Sequence, residues 1–240
     1  MIFRLSAFIV VLALIAPTAS AQVDPAAFER VLVPVSARSA GAYGSIWLTE
    51  LWYRNNSTYP VAVFPVAVSD YVPTIARTER LPIFFLPAGA PGQFLYITRG
   101  YADQVQFDLR VYNLADPFGE WGTKLPVVRE EEFKPTVDLI NVGCGPEVRA
   151  ALRIYALADD AASATIRVYS NNEVLLASTV VPLQGTPRYN GILSLVDAFP
   201  AIRATDRVRI HIESPEGAKV WAFVSITSNV TQHVAIVTPR

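Results

Sequence analysis

Arg207-Val208-Arg209-Ile210-His211-Ile212-Glu213 alternates polar and apolar residues without a break. In an extended chain successive side chains point to opposite faces. Val208, Ile210 and Ile212 therefore share one face, and Arg207, Arg209, His211 and Glu213 share the other. The apolar face belongs against a core, and the charged face is an ordinary solvated sheet surface. Working outward, the same period of two recurs in both directions. It predicts a strand over 45–54, with Trp47, Thr49, Leu51 and Tyr53 set against Ile46, Leu48, Glu50, Trp52 and Arg54. It also predicts strands at 30–35, 61–68, 80–86, 94–98, 105–112 and 122–128, then at 136–141, 150–155, 164–170, 174–181, 192–195, 219–226 and 233–238. Asn55-Asn56-Ser57, Pro91-Gly92, Asn171-Asn172 and Pro215-Glu216-Gly217 supply turn chemistry between them. No stretch has a helical period long enough for a major helix, so the expected class is all-β.

Composition narrows what such a chain does. Its 240 residues carry 20 basic and 21 acidic side chains, a near-balance that excludes a general polyanion binder. An aromatic content of 11% and many β-branched residues exclude a disordered chain. One Cys excludes a disulfide framework within the chain, and two His leave little for a metal cluster. No cofactor is expected, because no spaced ligand set and no phosphate-cradling Gly-rich motif occurs.

Residues 1–21 read as a signal peptide. Arg4 is the charge of a short n-region, 5–15 form an apolar h-region, and Ala19-Ser20-Ala21 is a small-x-small cleavage signal. The apolar run is shorter than the roughly 20 residues that span a bilayer, and charges or prolines interrupt every later apolar stretch. The expectation is cleavage after Ala21 and a periplasmic or extracellular destination without a membrane span. The rest divides into a β-sandwich over 22–128, a linker at 129–135 and a second sandwich over 136–240. Landmarks repeat between the halves: Leu51-Trp52-Tyr53-Arg54 with Leu152-Arg153-Ile154-Tyr155, and Leu86-Pro87-Ala88-Gly89 with Val181-Pro182-Leu183-Gln184-Gly185. Copies of about 100 residues have the size of an immunoglobulin-type sandwich. The charged run Arg129-Glu130-Glu131-Glu132-Phe133-Lys134 reads as a short linker or as an ordered strand extension at the interface.

Val31-Leu32-Val33-Pro34-Val35, Gly44-Ser45-Ile46-Trp47-Leu48-Thr49-Glu50-Leu51 and Asn55-Asn56-Ser57 resemble a group of exported bacterial proteins. So do Arg110-Val111-Tyr112-Asn113 with Phe118-Gly119, and Ser225 with Asn229 and Thr231. The resemblance implies tandem immunoglobulin-like antiparallel β-sandwiches and carries no assigned activity. It covers most of 30–239 and departs at Val111, where members often have Thr. No functional residue follows from it.

Candidate sites are few. Trp47, Trp52, Trp121 and Trp221 could stack on sugar rings. By alternation Trp47 is read as core, Trp52 beside Arg54 as the better surface aromatic, and Trp221 as ambiguous. Glu50, Trp52 and Arg54 form the candidate interaction surface, since exposed Trp and Arg are the usual interface anchors. Asp70, Asp116, Asp159-Asp160 and Asp206 read as solvated turn acids. His211 and His233 read as surface residues, with no Gly-x-Ser-x-Gly elbow to make a nucleophile. Asn55, Asn56 and Asn229 each open an Asn-x-Ser/Thr sequon and read as turn residues. Cys144, in Val142-Gly143-Cys144-Gly145-Pro146, is either a buried small hydrophobe or a thiol that pairs between chains. Three functions remain in order: a non-catalytic exported module that binds another protein or a surface component, a carbohydrate-binding module recognising a glycan, and a secreted hydrolase.

Overall fold

The computed structural model describes residues 27–65, 74–75, 79–80, 92–116, 122–158, 162–185, 187–204, 207–214 and 218–239. The signal-peptide reading of 1–21, Trp121, Asp70, Asp159-Asp160, Asp206, Phe118-Gly119 and the turn at 215–217 lie outside them. So do the ends of the strands expected at 61–68 and 80–86. Among the described residues no helix is long and apolar enough to cross a membrane.

The fold is all-β. In the first half the strands are β1 (Phe28–Val33), β2 (Arg38–Ala40), β3 (Ile46–Asn55), β4 (Val61–Pro65), β5 (Thr74–Ile75), β6 (Glu79–Arg80), β7 (Gln93–Thr98), β8 (Val105–Asn113), β9 (Thr123–Leu125) and β10 (Val128–Arg129). In the second half they are β11 (Thr136–Gly143), β12 (Val148–Ala156), β13 (Ala162–Ser170), β14 (Leu175–Leu183), β15 (Arg188–Ile192), β16 (Arg207–Glu213), β17 (Val220–Ser228) and β18 (Val234–Val237). They pair antiparallel into four sheets. Those of the first half run β10-β1-β7-β4-β5 and β2-β3-β8-β9, with β6 also on β3. Those of the second half run β11-β16-β13-β14 and β15-β12-β17-β18.

β16 follows its sequence closely. Val208, Ile210 and Ile212 are fully buried, while Arg209, His211 and Glu213 are partly exposed. The strand expected at 192–195 is a correction: β15 ends at Ile192, and Leu195 opens the helical turn α1 (Leu195–Ala198). Ser194 accepts from the Asp197 backbone N–H at 3.3 Å, so an N-cap ends the extended run.

The two cores meet through one sheet. Leu152, Ile154, Val220, Ala222 and Val224 face the core of the second half. The intervening Tyr155, Trp221 and Phe223 face the opposite way and belong to the core of the first half. Their rings form a chain, with Tyr155 at 6.2 Å from Trp221 and Trp221 at 5.6 Å from Phe223 between centroids. The Tyr155 hydroxyl donates to the Pro34 carbonyl, and burial pushes its pKa well above the ordinary phenol value. Burying three such rings contributes on the order of 10 kcal/mol of gross transfer free energy. The seam between the halves is thus a continuation of both apolar cores.

Residues 129–135 are tied at each step. Arg129 pairs with Val31, and Glu130–Glu132 make one 3-10 turn closed by Glu132, which accepts from the Arg129 N–H at 2.7 Å. Glu130 accepts from the Arg30 side chain at 2.8 Å. Phe133 is buried in the first core, and Lys134 exchanges both backbone hydrogen bonds with Val220.

Candidate functional site

The Glu50-Trp52-Arg54 surface lies on the outer face of β3. The alternate residues Thr49, Leu51 and Tyr53 are buried, as the period of two requires. Trp52 is 41% exposed, Arg54 is exposed and Glu50 is partly covered. The indole N–H reaches Glu50 Oε2 at 3.5 Å, a weak contact. Across the ladder Glu50 faces Arg110, Trp52 faces Asp108 and Arg54 faces Gln106, and Arg110 faces Lys124 on the next strand. An open groove of about 600 Å³ runs beside Trp52 and Arg54, with Gln106, Asp108 and Lys124 along it.

Asp108 anchors that groove. Arg110 Nε donates to its Oδ2 at 3.0 Å, and Lys124 Nζ lies 3.1 Å from Oδ1. Burial alone would raise this carboxyl, but hydrogen bonds and charge from Arg110 and Lys124 outweigh it and hold the pKa below its ordinary 3.8. A depressed carboxyl contributes stability above its unfolded value and loses it as pH falls through the folded one. A carbon-detected NMR titration of wild type should therefore place the Asp108 midpoint below 3.8, and Lys124→Ala should raise it. A midpoint unmoved by Lys124→Ala would show that the ammonium does not set it.

His211 sits among carboxylates. Its Nδ1 lies 3.2 Å from both oxygens of Asp138, and its Nε2 lies 3.8 Å from Glu213. Among the described residues carboxylates thus stand near both ring nitrogens, unlike the hydroxyl and single acid of a Ser-His-Asp triad. Arg209 bridges Asp138 and Glu173, and Arg167 meets Glu213 at 2.8 Å. Hydrogen bonds from Arg209 and Arg167 hold Glu173 and Glu213 below the ordinary carboxylate range. The whole array is an ion-paired sheet surface. His233 is exposed, and its backbone N–H donates to Thr231.

Asn55 and Asn229 serve their turns: Asn55 Oδ1 accepts from the Ser57 N–H at 2.9 Å, and Asn229 Nδ2 donates to the Pro146 carbonyl at 3.0 Å. Cys144 is 3% exposed within the second core, the burial of a small hydrophobe. Among the described residues no three His, Cys, Asp or Glu side chains gather to hold a metal ion.

Trp47 is a partial correction. It points inward as expected, yet it is only half-buried, because its end of the β3 face looks onto the second half. There it lines a cavity of about 290 Å³ with Thr123 and Leu125 on its own side and Arg149, Arg153 and Phe223 opposite. Gly41 lets the chain close over that indole. A Cβ at Gly41 would sit 2.4 Å from Trp47 Nε1, so any larger residue displaces the ring. Neither arginine was a sequence candidate, although Arg149-Ala150-Ala151-Leu152-Arg153 places both on one face of a strand. Compared with protein-family models, with curated proteins and with solved structures, the chain matches none of them.

Proposed function

We propose that the chain is an exported, non-catalytic binding module, akin to the tandem-sandwich bacterial proteins it resembles, that recognises another protein through Glu50, Trp52 and Arg54. The observation that supports this reading is the 41% exposure of Trp52 on a sheet face fixed by ion pairs. A large indole held in water on a rigid strand is the composition of an interface anchor, and Arg54 beside it is the other enriched type. The sheet beneath costs little ordering on binding, because Arg110, Lys124 and Asp108 already restrain one another.

The groove supports a second reading. Trp52 offers a flat apolar face, while Gln106, Asp108 and Arg54 offer donors and acceptors around it, the combination that holds a sugar ring. A pull-down from envelope extract should separate the two, with a soluble glycan panel run beside it. Trp52→Ala, shown by circular dichroism to fold as wild type, is expected to lose the captured protein by about 30-fold, the loss for a hot spot worth 2 kcal/mol. Capture at unchanged strength removes this face from the function. Glycan binding that disappears in Trp52→Ala favours the carbohydrate module instead, and turnover of a glycoside or ester panel sinks the binding reading altogether.

A further inference from the structure

The cavity between the halves holds two guanidinium groups that no carboxylate neutralises among the described residues. Arg149 and Arg153 share one face of β12, with the small Ala151 between them. Both are half-buried. Arg149 donates to the amide oxygens of Asn229 and Gln232, each at 2.8 Å, and lies 4.9 Å from the Tyr43 ring centroid. Arg153 lies 5.5 Å from the Phe223 centroid. The half-buried arginines Arg30, Arg110, Arg129, Arg167 and Arg209 each meet an acid instead.

Among the described residues the lining of the cavity contains no acidic side chain. A partly desolvated cation without a counter-charge loses hydration that amide dipoles and ring faces only partly replace. An entering anion restores that loss through charge-assisted hydrogen bonds, and the planar guanidinium fork matches a carboxylate. Trp47, Phe223 and Leu125 give the wall an apolar, aromatic part beside the hydroxyls of Ser39, Thr123, Ser225 and Thr227. At about 290 Å³ the space is at the small end of ligand sites, and it lies where the two halves of the chain meet. We propose that this cavity binds a small organic carboxylate with an apolar or aromatic body, the carboxylate toward Arg153 and Arg149 and the body against Trp47 and Phe223. The site is separate from the Trp52 face, so the two readings fail independently.

The test is a titration of the full chain with phenylacetate, benzoate and hexanoate, each to about 10 mM, a range that reaches millimolar dissociation constants. The Trp47 indole N–H, assigned with Trp47→Phe, is followed by NMR, and phenylacetamide is the uncharged control. A saturable shift is expected for at least one acid, at least about tenfold weaker for its amide and for Arg153→Gln. Arg153→Lys should fall between. No saturable response to any of the acids overturns the proposal, and so does an equal response to acid and amide. If Arg153→Gln does not fold, the acid against amide comparison on wild type decides alone.

Discussion

Tyr155→Ala is expected to destabilise the protein by about 3–5 kcal/mol, the cost of removing a large buried ring that its surroundings cannot refill. The expectation rests on where the ring lies. Tyr155 belongs to a strand of the second half, yet it is fully buried in the core of the first, against Trp221 and Tyr189. Truncation opens a cavity at the seam and leaves the Pro34 carbonyl without its donor. Tyr155→Phe separates the two effects: it keeps the ring and should cost about 1–3 kcal/mol for the unsatisfied carbonyl. Urea denaturation followed by tryptophan fluorescence and by circular dichroism measures both. Wild type should unfold in one transition seen alike by each probe. Two separated transitions, or a Tyr155→Ala cost under about 1 kcal/mol, would mean that the halves are not coupled through this ring.

Arg129→Met is expected to cost about 3–5 kcal/mol by stranding the Glu29 carboxylate. The Glu29 side chain is 9% exposed, and Arg129 grips it with two parallel hydrogen bonds of 2.7 and 2.8 Å while also meeting Asp103. The bond to Glu29, opposed by desolvation, raises the guanidinium above its ordinary range. A group raised in this way contributes below its unfolded pKa and loses the contribution only as pH rises through the folded one, so alkali within the usual range does not release the pair. The companion variant Glu29→Gln/Arg129→Met should recover much of the loss, because it removes the buried charge together with its partner. Denaturation curves of the single and double variants measure this coupling. Additive costs, or an Arg129→Met midpoint equal to wild type, would show that solvent already screens the pair.

The sequence by itself determined the class and most of the long strands of this protein. Arg207–Glu213 is a strand with its apolar face inward, and Thr49, Leu51 and Tyr53 are buried beneath Trp52, because a period of two leaves a side chain only two directions. Where one face met water, the hydrophobic pattern named the other. That rule failed wherever both faces were covered. On β17, Val220, Ala222 and Val224 pack into one core while Trp221 and Phe223 pack into another, so alternation carried no contrast to read. The same cause hid the half-buried position of Trp47 and the cavity beside Arg149 and Arg153, whose walls come from strands far apart in the chain. Only the tertiary structure decided these points. Whether a strand face meets solvent, its own sheet partner or the other half depends on how finished sheets stack, and that contact is made between residues whose local patterns hold no information about each other.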